Sequence, residues 1–405
     1  GKLWVLAYRD LRRNRRRTLL TMVAVALGLA LLIVMNGYIA GALEESLQNS
    51  IRLNTGHVQV RAAGYDDEAL SLRRSELLAN PEEVAARAAA LPGVHAAAPV
   101  LWAGGILATP SDSVRLRLYG IDTSSPLYDP IRQAIVGGAF LSPNDRDGVL
   151  IGRHLAESVG ATVGDKVSLT VIDADGRADT GAFTVEGLFS TGIPSYDDGA
   201  VLMPLARAQA FTSMQRHASA VVIVLDRQAD TAAVAGALRG PGVDIRTWED
   251  QNRLLLDTMQ MGMRFYIILD GIVILIVAVI LANTLLMSVF ERIREMGILS
   301  ALGMRGGQLM QMFLLEAAIL GLAGLALGTL LGLAGVGYLA TVGIPIGQAA
   351  SAAGSGIALG STLHARFVPV TFAGLALAML AIILAAALYP AWYAARLEPV
   401  EALKG

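Results

Sequence analysis

Phe290-Glu-Arg-Ile-Arg-Glu-Met-Gly-Ile-Leu-Ser-Ala-Leu-Gly-Met304 opens as a charged helix start and turns into a small, apolar knob. It lies between two segments that each read as long enough to cross a bilayer, from Ile267 to Phe290 and from about Met312 to Val342. A charged, structured element between two spans has little reason to exist unless something docks on it from the water side. The stretch therefore predicts a membrane protein driven by a soluble partner.

Composition agrees. The chain has 405 residues, 54% hydrophobic and 16% charged, with mean hydropathy +0.54. That balance predicts an integral membrane protein with a sizeable soluble part. The net charge of −2 argues against nucleic acid as a partner. With no cysteine, disulfides, thiolate catalysis and cysteine-based metal sites are excluded.

A helix needs roughly 20 apolar residues to cross the hydrocarbon core. Candidate spans run over 19–41, 265–290, 312–342 and 367–389. Residues 42–262 have ordinary charge density and turn signals, and read as a soluble domain with its stalk. Lys2, Arg9, Arg12, Arg13, Arg15, Arg16 and Arg17 precede the first span, which predicts a cytoplasmic N-terminus. Four crossings then put both termini in the cytoplasm and the large insert outside. Residues 1–18 read as an amphipathic helix on the inner surface, 291–311 as a cytoplasmic coupling helix, 343–366 as an outer loop, and 390–405 as a cytoplasmic tail. Arg16-Arg17-Thr18-Leu19-Leu20 imitates an export signal and Ala40-Gly41-Ala42 a cleavage site. The apolar run is too long for a signal peptide, so the expectation is an uncleaved first helix.

Within the insert, strands are predicted at 57–60, 114–119, 148–151, 166–172, 183–189, 200–203, 220–225 and 243–246. Helices are predicted at 81–90, with Asn80 as N-cap and Pro81 at N1, and at 231–238. Asp175-Gly176 signals a hairpin turn. Two α/β portions, about 55–110 and 215–247, thus flank a mainly β portion at about 111–214. Glu44 to Asn54 extends span one outward, and the chain from Trp248 onward reads as helical into span two, so two extensions form a stalk.

No catalytic constellation emerges. His57, His95, His154, His217 and His364 lack metal-ligand spacing. No G-x-S-x-G elbow occurs, and Gly160-Ala-Thr-Val-Gly-Asp-Lys166 lacks the end of a P-loop. The expectation is therefore a non-catalytic subunit with no metal and no cofactor of its own. Asp270 and Glu316 are candidate intramembrane polar residues: Asp270 at the outer start of span two, Glu316 near the inner start of span three and within reach of an arginine. Gly37-x-x-x-Gly41, Gly324-x-x-x-Gly328 and Gly328-x-x-x-Gly332 predict close helix packing.

The 290–304 stretch resembles the coupling segment of type VII ABC transporter permeases, the MacB/FtsX superfamily. Glu291, Arg292, Arg294, Glu295, Met296, Gly297, Leu299, Ala301, Leu302 and Gly303 carry the likeness, and Phe313-Leu-Leu-Glu-Ala317 continues it. Tyr389-Pro-Ala-Trp-Tyr-Ala-Ala-Arg-Leu-Glu-Pro-Val-Glu-Ala-Leu403 is similar to the family's closing signature. Gly56-His-Val-Gln-Val60, Val149-Leu-Ile-Gly-Arg-His-Leu155 and Ser190-Thr-Gly-Ile-Pro194 look most like the lipoprotein-releasing LolC/LolE branch.

The resemblance implies a fold of four transmembrane helices with a large α/β plus β extracytoplasmic domain, the MacB-like periplasmic core domain, between the first two. It implies residence in the bacterial inner membrane, and pairing with a second permease subunit, identical or paralogous. A separate ATPase subunit of the LolD or MacB type would bind ATP and Mg. In the lipoprotein branch an acylated cargo passes to a periplasmic carrier. Met296, Leu299 and Leu302 are then expected to fill a groove on the ATPase. The family also implies two alternatives, MacB-like export of peptides or small molecules from the periplasm and transmembrane signalling to a periplasmic partner.

Overall fold

A computed structural model describes residues 15–67, 69–110, 112–172, 176–347 and 358–396, with the side chains of Ser300 and Ala301 also left undescribed. Most of the expected surface helix at 1–18, Asp175 of the hairpin, and the tail beyond Arg396 fall outside those residues. The chain divides into two compact units: Gly1–Leu43, Met259–Ile344 and His364–Gly405, and Glu44–Thr258 with Pro345–Leu363.

Among the described residues of the first unit lie helices long and apolar enough to cross a membrane: span one (Arg15–Ser50, whose last turns belong to the second unit), span two (Arg253–Glu291, whose first turns belong to the second unit), span three (Gly306–Thr341) and span four (Pro369–Ala395). Each exceeds the stretch expected from apolar length alone. Their shared core includes Leu29 and Ile33 of span one, Leu281 and Leu285 of span two, Ala317 and Val336 of span three, and Met379 and Ile383 of span four. In lipid the hydrophobic effect does not drive helix association, so close contact and polar bonds must supply it. Both are present. A Cβ added at Gly324, Gly328 or Gly332 would come within 2.7 Å of Val25, 2.6 Å of the Ala26 carbonyl or 2.8 Å of Ile33, so this glycine ridge seats span three directly on span one. Polar rungs join spans one and two: Arg17 to Glu291 at 2.8 Å, Thr21 to Thr284 at 3.3 Å, and Asn36 to Asp270 at 3.1 Å. Their numbering descends on one helix as it ascends on the other, so the two spans run antiparallel.

The second unit is built on strands β1 (Val58–Ala62), β2 (Val94–Ala108), β3 (Ser113–Ile121), β4 (Ile135–Gly138), β5 (Gly148–Gly152), β6 (Lys166–Ile172), β7 (Ala178–Phe189), β8 (Ala200–Pro204), β9 (Ala220–Leu225) and β10 (Val243–Thr247). Two helices matter to its packing, α1 (Pro81–Ala89) and α2 (Thr231–Leu238). Strands β10, β1, β9 and the first half of β2 form an antiparallel layer, with Val60 opposite Val221 and Ile245. Val84 and Ala88 of α1 and Val234 of α2 pack on one face of it with Val58, Val60, Val221 and Ile223. The second half of β2 pairs with β3 and β6; β6 pairs with β7, β7 with β5, β5 with β8, and β8 with β3. That circuit closes a six-stranded barrel, whose interior holds Leu107, Leu118, Val149, Ile151, Leu169, Phe183, Val185 and Val201.

The α/β and β portions expected from sequence are thus joined by one strand. The 15-residue β2 belongs to both, and it was not among the expected strands. Pro81 takes the first helical position of α1 as expected. Asn80 does not cap it with its side chain: the residue is left-handed at φ 49°, and its Oδ1 accepts from Arg216 at 2.8 Å instead. The helical run expected from Trp248 into span two is interrupted: a short helix, Trp248–Gln251, ends at Asn252 before span two begins. The loop between spans three and four also differs from a simple turn. Its middle, Pro345–Leu363, belongs to the second unit, where among the described residues the Ser361 N–H donates to the Gly192 carbonyl at 2.7 Å and Asn49 donates to the Ala358 carbonyl at 3.1 Å.

Candidate coupling site

The segment from Glu291 to Gly303 forms a separate short helix. Span two ends at Glu291, Arg292 makes a one-residue break, and the coupling helix runs over Ile293–Ala301. Gly303 stops it. Its φ of 95° is readily adopted only without a Cβ, and the Met304 N–H closes back on the Leu299 carbonyl at 3.0 Å. The expected coupling helix of 291–311 is therefore too long, since residues from Gly306 onward already belong to span three.

The helix is clamped from beneath. Met296, only 2% exposed, packs with Val289, Leu309, Met312, Phe313, Ala391 and Ala394, drawn from spans two, three and four. Gly297 is also buried. Arg292 is buried beside them, 3.2 Å from Glu295 and 3.9 Å from the buried Glu316. A guanidinium there ties the break between helices to span three. Glu291 is held by Arg17 of span one. Asp270, buried against Asn36, lies well away along span two and belongs to a different feature.

What remains outward is a stripe. Arg294 is exposed, Ile298 is 47% exposed and Leu302 is 80% exposed. They sit four residues apart, and Leu302, one residue past the helix, still donates its N–H to the Ile298 carbonyl at 3.0 Å, so the three share one face. Leu299 is half-buried. The expectation that Met296 enters a partner's groove is corrected: Met296 is an internal anchor. Ile298 was missed, although its spacing from Arg294 and Leu302 was a readable signal. The arrangement is a rigidly seated helix presenting one cation and two aliphatic side chains, which suits docking rather than bond chemistry.

Two families match the chain. The MacB-like periplasmic core domain covers residues 18–240, and the FtsX-like permease C-terminal region covers 267–399. The chain belongs to the MacB/FtsX superfamily of ABC transporter permeases. This permease is 26% identical over 346 residues to the lipoprotein-releasing system transmembrane protein LolC of Neisseria meningitidis, covering 79% of each chain. It is 24% identical to LolC of Xylella fastidiosa over 98% of both. It is also 26% identical to the macrolide export ATP-binding/permease protein MacB of Sodalis glossinidius, over 98% of this chain and 60% of that protein. The permease thus spans about 60% of that relative's length. Among solved structures, the periplasmic region of MacB from Actinobacillus actinomycetemcomitans aligns with 54% of the chain at TM-score 0.35 and 15% identity. The permease is a multi-pass membrane protein with its core domain between spans one and two.

Proposed function

We propose that this permease converts ATP hydrolysis by a LolD- or MacB-type ATPase subunit, which binds the ATP and Mg, into movement of the periplasmic core domain. In that reading it resides in the bacterial inner membrane with both termini in the cytoplasm, pairs with a second permease subunit, and releases lipoproteins toward a periplasmic carrier. The observation that carries it is the exposed Arg294–Ile298–Leu302 stripe on a helix whose opposite face is locked into spans two, three and four. A push on that stripe is delivered to the span helices instead of being absorbed by a loose loop. Spans one and two run as helix beyond the apolar stretch, to Ser50 and from Arg253. Lipoprotein cargo is favoured by the LolC relatives that match across nearly the whole chain. Each buried CH₂ holds an acyl anchor in the bilayer by about 0.8 kcal/mol, so extraction needs an energy source.

The test is reconstitution with the cognate ATPase in liposomes carrying a triacylated lipoprotein. ATP-dependent appearance of the lipoprotein with a soluble carrier is expected. Retention of all cargo in the vesicles, with ATP turning over, contradicts the lipoprotein reading. Export of a small molecule is the second reading, favoured by the MacB relatives. It predicts that a macrolide, rather than the lipoprotein, stimulates the ATPase.

A further inference from the structure

Strand β3 alternates across the barrel wall. Leu116 and Leu118 point into the core, while Arg115, Arg117 and Tyr119 lie on the outer face. Over that face lies a half-open cavity of about 330 Å³, flanked by the end of the stalk helix (Asn49, Leu53, Asn54) and by residues 193–200. Arg115 and Arg117, on alternate residues of one strand, line it, with the Arg117 side chain beside the Tyr119 hydroxyl. Among the described residues neither Arg115 nor Arg117 makes an ion pair with a carboxylate. Asp67, whose field reaches Tyr119, is already bound by Arg61 at 3.1 Å. Burial raises the Tyr119 and Tyr196 hydroxyls, so they remain neutral and bring no negative charge. Gly104 stands opposite Arg117 on β2 and adds no side chain beside it. Asn49 and Asn54 already hold the Ala358 carbonyl and the Tyr119 hydroxyl, which fixes the polar wall.

Arg115 is exposed and Arg117 half-buried on the same face of one strand, so the cavity carries two positive charges and no carboxylate among its lining residues. Guanidinium forks match the tetrahedral oxygens of phosphate bidentately, and the volume lies at the small end of ordinary ligand sites. We infer that Arg115 and Arg117 form a binding site for a phosphate-class oxyanion, which when filled ties the end of the stalk helix to the barrel. The chemistry is shared by free phosphate and by an anionic lipid headgroup. The site is independent of the cargo and of the ATPase, so its failure leaves the transport reading untouched, and the reverse holds too.

The full-length protein in neutral detergent is titrated calorimetrically with inorganic phosphate and, separately, with dihexanoyl phosphatidylglycerol, using dihexanoyl phosphatidylcholine as the zwitterionic control. Saturable binding is expected in one or both arms, weakened at least tenfold by Arg115→Gln and by Arg117→Gln and weakened less by Arg115→Lys. Binding of phosphate alone identifies a soluble anion, and preference for phosphatidylglycerol over the control identifies a lipid headgroup. Arg115 is exposed, so Arg115→Gln should keep the unliganded melting temperature. The inference is overturned if neither compound binds, or if both bind the Arg115→Gln and Arg117→Gln variants as they bind the native protein.

Discussion

Leu302→Ser separates docking from folding at the coupling helix. Leu302 is 80% exposed in the permease alone, so removing its side chain costs the fold little. If it is buried on docking, its loss forfeits roughly 1.5–3 kcal/mol of association, about a ten- to hundredfold rise in Kd for the ATPase. Met296→Ala should behave in the opposite way. Met296 is 2% exposed among residues of three spans, and truncating a buried methionine costs about 2–5 kcal/mol of stability. The assay titrates the cognate ATPase against nanodisc-embedded permease by interferometry, alongside thermal unfolding of each variant. Leu302→Ser should lose affinity at an unchanged melting temperature, and Met296→Ala should lose melting temperature first. The reasoning is refuted if Leu302→Ser binds as tightly as the native protein while Met296→Ala loses affinity without loss of stability.

Three other outcomes follow from particular contacts. Gly328→Ala puts a Cβ 2.6 Å from the Ala26 carbonyl and should destabilise by about 1–3 kcal/mol, whereas Gly337→Ala, with no atom within 4 Å, should be neutral in the same thermal scan. A double-mutant cycle of Asn36→Leu and Asp270→Leu should return a coupling of about 0.6 kcal/mol and not above about 1.7 kcal/mol, read from unfolding in mixed micelles. In the core domain, burial lowers the pKa of His57, and its Nδ1 accepts the Leu225 N–H at 3.1 Å, which requires the neutral ring. The unfolded chain then takes up the proton first. Stability should fall as pH drops below the ordinary histidine pKa of about 6.5, and His57→Gln should flatten that slope in pH-dependent melting curves.

The spans were legible because apolar length and flanking arginines act locally. Most strands were legible for the same reason, as in Lys166–Ile172 and Ala220–Leu225, where alternating or β-branched runs meet turn residues. Strand β2 was not. Its Ala96, Ala97 and Ala98 and its Gly104 and Gly105 have weak strand preference, and it exists because three other strands pair along it. Barrel closure was hidden likewise, since it depends on pairings between residues distant in sequence. At the coupling helix the residue types were readable but the rotation was not. Met296 and Ile298 are both apolar, and only packing on spans three and four decides which one faces inward. Glu291 and Arg292 read as partner contacts but are engaged by Arg17, Glu295 and Glu316 within the chain. Reversing charge at Glu291 therefore tests internal pairing as well as docking.

The absence of native cysteine makes the central claim directly measurable. A single cysteine in place of the exposed Gln215 of the core domain carries a spin label, and the distance between labels in the permease pair proposed above is followed by pulsed resonance. Adding ATP with the ATPase at a concentration between the native and the variant Kd should shift that distance, and Leu302→Ser should suppress the shift while the ATPase still hydrolyses ATP. A distance that ignores nucleotide, or a nucleotide response unchanged by Leu302→Ser at an ATPase concentration that fills the native permease but not the variant, would contradict transmission through the coupling helix.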